Sequence, residues 1–266
     1  MEFIMGSYQY SSYDKPTLNL LVPDRWKQLR QDMNLFRSVE PEVKIIGYTQ
    51  PTEELRKKGV TTDTLPAYTA RHCYESFDKY SQDPKKDNEL DKDLTRRLIN
   101  MGHTTPLQAI EFTFDIYGTS KSLQAQWTRH KIGVGWSYRS TRFVEASGNK
   151  FVYNIYDYIS DVDKVKKLLR IDEEHAKRAI GDYNKKRDLG STKQDARKIM
   201  PVEFATDCSF FANARALRHL FDLRLAKKAE WEIRRMSGMI LEEVMKITPT
   251  IFEDICNNTF GKLKKD

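Results

Sequence analysis

The segment Ile110–Gly118 reads IEFTFDIYG and has the most regular pattern in the chain. From Ile110 to Ile116, apolar side chains occupy every second position and polar side chains lie between them. This period of two is typical of a β-strand that buries one face. The hydroxyl residues Thr119 and Ser120 follow, and they predict the N-cap of a helix that runs to about Lys131. The chain therefore combines at least one strand with helices.

The rest of the chain adds one further predicted strand and several helices. Glu42–Thr49 is rich in β-branched residues and is followed by Pro51, which predicts a short strand. Ile132–Phe143 contains glycines and lacks helical spacing. Apolar residues at helical spacing predict helices over Ala67–Tyr80, Leu90–Met101, Val162–Lys185 and almost continuously from Phe204 to about Lys246. Few strands and a large helical share indicate the α+β class.

Composition excludes several classes of protein. The chain has 266 residues, of which 39% are hydrophobic, so it can bury a core and is not an intrinsically disordered polymer. No apolar run approaches the roughly 20 residues that span a bilayer, so no membrane partner is expected. The three cysteines are widely spaced and form no CxxC pair, which predicts reduced thiols, a cytoplasmic location and no metal site.

The N-terminal region differs from the remainder of the chain. Residues 1–42 mix Tyr, Ser, Asp and Pro with one apolar patch, Leu18–Val22, and are predicted to be an N-terminal extension. Residues 43–266 show no internal repeat and no clear internal boundary. They are therefore predicted to form one domain.

The net charge of +7 favours anionic partners. Nucleic acid, anionic lipid and phosphorylated small molecules all satisfy this charge, and composition does not choose among them. A nucleic-acid-binding protein is the alternative from another class, since basic and aromatic residues could contact backbone and bases. No helix-turn-helix, RNA-recognition or zinc pattern accompanies these residues, so no nucleic-acid partner is expected.

Two candidate sites lie in turns or irregular segments. Gly102–Pro106 is either a plain turn before the strand or a place where small hydroxyl residues let a ligand approach. Ser137–Phe143 carries Ser140 and Thr141 between two arginines. Hydroxyl donors beside guanidinium groups suit a phosphate, and a solvated loop with salt bridges is the alternative.

Two further candidate sites lie on predicted helices. Gln126 and His130 are four residues apart and would share a helix face, where the neighbouring cations either bind a ligand or complement the helix dipole. Arg215 and His219 have the same spacing. Arg224 lies near the apolar edge of its helix, and a buried guanidinium there needs an anion or carbonyl oxygens.

The order of these motifs resembles that of the flavin-dependent thymidylate synthase family. The family signature is Arg-His-Arg, seven residues, Ser, and then x-Arg-Tyr; this chain has Arg129–Lys131, eight residues, and Ser140–Phe143. The resemblance covers roughly residues 43–250. Supporting motifs follow in the family's order at Ala70–Tyr74, Gly102–Pro106, Gln126, Ala196–Pro201, Asn213–Arg224 and Glu230–Arg234.

The resemblance implies a subunit with a small central antiparallel or mixed sheet and long helices, assembled into a homotetramer with FAD between subunits. It implies reductive methylation of dUMP to dTMP, with methylenetetrahydrofolate as carbon donor and NADPH as reductant of the flavin. The residues that would contact FAD are Thr105, Arg129, His130, Lys131, Asn213, Arg215 and His219. Those that would hold dUMP are Gln126, Arg129, Ser140, Thr141, Arg142, Arg197 and Arg224.

Arg224 is the residue to which we assign the catalytic role. In the reaction that the resemblance implies, hydride delivery to C6 of uracil builds negative charge on a ring carbonyl oxygen. A fixed cation at that oxygen stabilises the transition state more than the ground state. No cysteine nucleophile is required in this scheme.

The chain departs from the family pattern at three places. Lys131 replaces an arginine, which exchanges a bidentate guanidinium for a point charge. The signature segment is one residue longer, and Tyr138-Arg139 stands where the family commonly has Asn-Glu. A related enzyme that acts on another pyrimidine nucleotide, or that transfers a hydroxymethyl group, therefore stays open as an alternative.

Overall fold

The computed structural model describes residues 28–29, 32–81, 83–146 and 148–260, and the apolar patch Leu18–Val22 lies outside them. Within these ranges the strands are β1 (Glu42–Tyr48), β2 (Glu111–Ser120), β3 (Val134–Tyr138) and β4 (Ala205–Asn213). The helices are α1 (Glu53–Lys57), α2 (Leu65–Arg71), α3 (Pro84–Asn100), α4 (Lys121–Trp127), α5 (Val162–Asp188), α6 (Lys193–Ala196), α7 (Ala214–Arg224), α8 (Trp231–Met245) and α9 (Pro249–Phe260). None of these helices combines the length and the apolar content that crossing a membrane requires.

The strands form one antiparallel sheet in the order β1-β2-β4-β3. β2 contains the alternating segment and pairs with β1 on one side and β4 on the other. Its residues Phe112, Phe114 and Ile116 are fully buried, whereas the residues between them are partly or fully exposed. The α+β class and the strand that indicated it are both confirmed.

The buried face of the sheet packs against α4, α7, α8 and α9. Trp127 at the end of α4 is fully buried, with its ring 4.7 Å from Trp136 of β3 and 5.2 Å from Phe210 of β4. Replacing such a side chain with alanine costs about 3–5 kcal/mol of unfolding free energy. This packing holds α4 against the sheet and fixes the position of the residues at both of its ends.

A second core lies under α5. It includes Leu29, Met33 and Leu35 from the first described residues, together with the apolar stripe of α5. The backbone N–H of Phe36 donates a hydrogen bond of 2.9 Å to the buried carboxylate of Glu173 on α5. Residues within the predicted extension therefore pack against the rest of the molecule, and the boundary at residue 42 stays a prediction.

The predicted continuous helix from Phe204 is wrong in its first part, because residues Ala205–Asn213 form β4. β4 lies between β2 and β3, so its extended conformation is stabilised by partners that are distant in sequence. Nor does the sequence pattern predict β3, which pairs with β4 alone. The stacking of Trp136 on Phe210, with ring centroids 4.1 Å apart, supports that pairing.

The predicted helix over Ala67–Tyr80 is interrupted. α2 ends at Arg71, and two short 3-10 turns replace the remainder. Glu75 separates these turns with a φ of 47°, a left-handed conformation that an α-helix does not contain. The helices predicted over Leu90–Met101 and Val162–Lys185 are present as α3 and α5, and α3 begins earlier than predicted.

The N-cap predicted for α4 is confirmed, but the predicted end of that helix is wrong. The Ser120 hydroxyl accepts a hydrogen bond from the Leu123 N–H, and the helix ends at Trp127 instead of about Lys131. His130 consequently lies in the turn after α4. The argument that it shares a helix face with the preceding residues does not hold.

Candidate functional site

The predicted site residues collect around the two ends of β3. Val134 pairs with Ala212 and Tyr138 pairs with Cys208, so β3 runs back along β4 from its end towards its start. The four residue steps of β3 cover about 13 Å. We call the first group the imidazole end; it consists of His130, which precedes β3, and of His219 and Arg224 on α7. The cationic end is the group around the start of β4, formed by Lys121, Arg139, Thr141 and Arg197.

At the imidazole end, His130 contacts two residues of α7. Arg224 Nε donates a hydrogen bond to His130 Nε2 at 3.0 Å, and the rings of His130 and His219 lie 6.2 Å apart at an angle of 72°. Burial, together with the charge of Arg224 and then that of His219, lowers the pKa of His130 below its ordinary value of 6.5. The neutral imidazole can accept the Arg224 N–H because arginine always carries its proton.

Gly133 and Asn213 build the turn that carries His130. Gly133 has a φ of 68°, and a Cβ at this residue would lie 2.4 Å from Asn213 Nδ2. The Asn213 side chain accepts a hydrogen bond of 2.9 Å from the Ala216 N–H and so caps α7. Only glycine permits this close approach, which seats the turn on the first residues of α7.

Three exposed cations surround the imidazole end. Arg129, Lys131 and Arg215 have no carboxylate partner among the residues that the structure describes. Thr105 is exposed at the start of a 3-10 turn, Thr105–Ala109, that packs against α7. Unpaired cations suit a pyrophosphate, and guanidinium and imidazole groups suit the edge of a polar ring, so this donor set fits FAD.

At the cationic end, three basic residues lie around the start of β4. Lys121 N donates to Phe204 O at 3.1 Å, and Arg139 Nη2 donates to Ala205 O at 3.2 Å. Arg197 Nη1 donates to the hydroxyl of buried Thr141 at 2.6 Å. Burial lowers the pKa of Lys121, and the charges of Arg197 and Arg139 lower it further.

The two remaining signature residues lie beside the cationic end. Ser140 Oγ accepts a hydrogen bond of 3.4 Å from the Arg142 N–H. The Arg142 side chain is exposed, with Nε bonded to Gln194 Oε1 at 2.8 Å and the guanidinium carbon 5.4 Å from the Phe143 ring centre. In this conformation the Arg142 side chain extends towards α6.

A buried carboxylate anchors the helix that joins the two ends. Glu232 at the start of α8 accepts hydrogen bonds from both the N–H and the hydroxyl of Ser120, the former at 2.8 Å. Burial raises the pKa of Glu232 to about 7. Because Ser120 is the N-cap of α4, Glu232 fixes the start of the helix whose first residue is Lys121 and whose last turn contains Gln126.

A family model described as "Thymidylate synthase complementing protein" matches residues 55–250 of the chain. The chain belongs to this family. Among its relatives, a flavin-dependent thymidylate synthase of Geobacter sulfurreducens is 32% identical over 192 residues, covering 71% of this chain and 79% of the relative. Flavin-dependent thymidylate synthases of Pyrococcus horikoshii and Pyrococcus furiosus are 32% and 30% identical, and each match covers 77% of this chain and 79% of the relative.

Within the chain of this family member, the predicted contacts do not all meet. His130, His219 and Arg224 come together, and Thr141 and Arg197 come together, but the strand β3 separates the two groups. Convergence of all the predicted residues in one cavity therefore needs a neighbouring subunit and stays a prediction.

Sequence reasoning placed Arg139 in the candidate phosphate-binding segment Ser137–Phe143 but missed Lys121 and Glu232 as members of the site region. Lys121 directly follows a predicted N-cap, so a local signal for it was present. Glu232 lies in a motif matched to the family, but its contact with Ser120 joins residues 112 positions apart. No local pattern reports such a contact.

Proposed function

We propose that this chain is a flavin-dependent thymidylate synthase, which converts dUMP to dTMP with methylenetetrahydrofolate as carbon donor and NADPH as reductant through FAD. The family match over residues 55–250 carries the proposal, and the shared name of the relatives supports it. The two ends of β3 add chemical support. One offers imidazole and guanidinium donors to a ring, and the other offers cations to a phosphate.

FAD binds at and around the imidazole end in this proposal. When bound, the flavin supplies the hydride that the reaction needs. The unpaired cations suit its pyrophosphate, and the neighbouring polar groups suit its remaining oxygens and nitrogens. The residues assigned to it are Thr105, Arg129, His130, Lys131, Asn213, Arg215 and His219.

Arg224 stabilises the charge that develops on the uracil carbonyl oxygen. Its Nε is held by His130, and no acceptor engages its terminal nitrogens in the described part of the chain. Those N–H groups can therefore point at the substrate without first breaking a bond. The residues assigned to dUMP are Gln126, Arg129, Ser140, Thr141, Arg142, Arg197 and Arg224.

We propose the homotetramer that the family resemblance implies, and the separation of the two groups within one chain supports a site shared between subunits. An active site that uses both is completed when a neighbouring subunit brings its cationic end against the imidazole end. Light scattering on purified protein tests the subunit number. The cytoplasmic location stays a prediction.

The deciding experiment incubates purified protein with dUMP, methylenetetrahydrofolate and NADPH and measures the product mass. A gain of one methyl group and a yellow, flavin-containing protein are the expected results. A colourless protein that binds DNA with strong salt dependence would instead favour the nucleic-acid-binding alternative.

The same experiment tests the second candidate function, a related pyrimidine nucleotide C5-modifying enzyme. The longer signature segment and Arg139 are the departures in sequence that raise it, whereas the shared name of the relatives favours thymidylate synthase. A hydroxymethyl product, or turnover with another pyrimidine nucleotide only, would select it.

A further inference from the structure

We propose that Lys121 and Arg139 bind the 5′-phosphate of the nucleotide substrate together with Arg197 and Thr141. Neither Lys121 nor Arg139 is a fixed residue of the family signature. The inference rests on the proposed function and extends it to two residues outside the fixed positions of that signature.

The first argument is convergence on one point of the backbone. Lys121 begins α4, Arg139 and Thr141 follow β3, and Arg197 precedes β4. The backbone N–H of Lys121 donates to the carbonyl of Phe204, the Arg139 guanidinium donates to the next carbonyl, that of Ala205, and the Arg197 guanidinium donates to the Thr141 hydroxyl. Residues from three separate segments thus lie around the start of β4.

The second argument is an uncompensated charge. Arg139 has one acidic neighbour, Asp207, at 3.6 Å, while Lys121 bonds the neutral Gln124 at 2.8 Å and Arg197 bonds a hydroxyl. Three cations therefore face one carboxylate among the described residues, which leaves two positive charges. A phosphate monoester carries about −1.5 to −2 charges at pH 7, so it matches this excess.

The third argument is an unmet hydrogen bond. Arg139 Nε is buried and has no acceptor within the described ranges. Lys121 is half-buried, and the positive charges of Arg197 and Arg139 add to burial in disfavouring its ammonium unless an anion is bound. Phosphate oxygens accept several short bonds from such groups, and the Ser140 and Thr141 hydroxyls beside them add neutral donors.

The test measures dUMP affinity and kinetics with flavin-loaded protein. We expect Lys121→Met and Arg139→Met each to weaken dUMP binding about 10- to 100-fold by calorimetry, since each removes a charge-assisted hydrogen bond. The KM for dUMP should rise by the same factor, with kcat, flavin content and the KM for methylenetetrahydrofolate nearly unchanged. Lys57→Met removes an exposed lysine that follows the opposite edge strand β1, and it should leave dUMP affinity unchanged.

Conservative variants separate charge from packing. Lys121→Arg and Arg139→Lys retain the charge and should keep dUMP affinity within about fivefold of the unsubstituted protein. The inference is overturned if both methionine variants bind dUMP within threefold of normal. It is equally overturned if Arg139→Lys loses as much affinity as Arg139→Met, or if flavin content falls with dUMP affinity. The product mass from the unsubstituted protein decides the proposed function separately.

Discussion

The two ends of β3 differ in the partners that their cationic side chains have. At the imidazole end, the Arg224 guanidinium has an internal acceptor, His130, and the pair is already ordered. At the cationic end, Lys121, Arg139 and Arg197 lie around the start of β4, and among the described residues only Arg139 has a carboxylate within 4 Å, that of Asp207. The imidazole end thus holds a hydrogen-bond donor that is already oriented, whereas the cationic end holds positive charges that carboxylates do not balance.

Under the proposed function, this difference predicts separate roles for the two ends in catalysis and in substrate binding. A group that must stabilise charge developing in a transition state is most effective when it is already oriented, because reorienting it during the reaction costs free energy. A group that binds a phosphate needs charge, and the ligand completes its hydrogen bonds. We therefore expect substitutions at the imidazole end to lower kcat and those at the cationic end to raise KM.

The largest effect is expected from Arg224→Ala. Methylation of dUMP should fall by at least about 10²- to 10³-fold in kcat, because the cation at the uracil oxygen is lost. Flavin absorbance of the purified variant should remain. Near-normal turnover would remove Arg224 from its assigned catalytic role, and Arg224→Lys shows how much of the effect is charge alone.

A smaller effect is expected from His130→Gln. Losing the ordered contact to Arg224 should reduce kcat by about 10-fold, the scale of one hydrogen bond to a charged group. In the unsubstituted protein, kcat should fall as the pH drops through the His130 pKa, which lies below 6.5, because a protonated imidazole cannot accept the Arg224 N–H. That acid limb should be absent from the kcat profile of His130→Gln and present in His175→Gln, an exposed histidine of α5. An unchanged limb in His130→Gln would contradict the assignment.

The titration of His130 should also make the free energy of unfolding depend on pH. Its folded pKa is lowered, so between that value and 6.5 the unfolded chain binds more protons than the folded chain. The free energy of unfolding should therefore rise with pH across this window. Thermal melts at several pH values should show a weaker rise for His130→Gln than for His175→Gln.

The Glu232 carboxylate, which anchors the start of α4, gives a prediction about the pH dependence of stability. Its folded pKa of about 7 lies above the ordinary 4.5, so between these values the folded protein holds more protons and stability falls as the pH rises. Glu232→Gln should remove this fall, a difference of up to about 3 kcal/mol by pH 8. Denaturant unfolding at pH 5 and pH 8 measures it, with exposed Glu89→Gln as control. Parallel pH dependences for Glu232→Gln and the unsubstituted protein would show that Glu232 does not titrate in this way.

The smallest effect is expected from Lys131→Arg. If Lys131 occupies the arginine position of the family signature, flavin affinity should stay the same or tighten by a few-fold, because a guanidinium can form two bonds to a phosphate. Fluorescence titration of flavin-free protein with FAD measures the change. Complete loss of flavin would mean that the longer signature segment is aligned incorrectly.

Much of the candidate site could be predicted because its motifs are local. The i, i+4 spacing of Arg215 and His219 holds on α7, and the motif order identified the family correctly. Gln126 and His130 have the same spacing, yet α4 ends between them. The turn at Gly133 is held by contacts with Asn213, and these lie 80 positions away in sequence.

The sequence by itself determined the α+β class, the strand β2, the cap of α4 and the family, because alternation, capping and motif order are properties of neighbouring residues. Tertiary structure alone decided that Ala205–Asn213 is a strand, since its extended form depends on pairing with both β2 and β3. It also decided that Arg224 meets His130 and that three cations meet at the start of β4. Burial and hydrogen bonding set those contacts, and both arise only after distant segments have packed together.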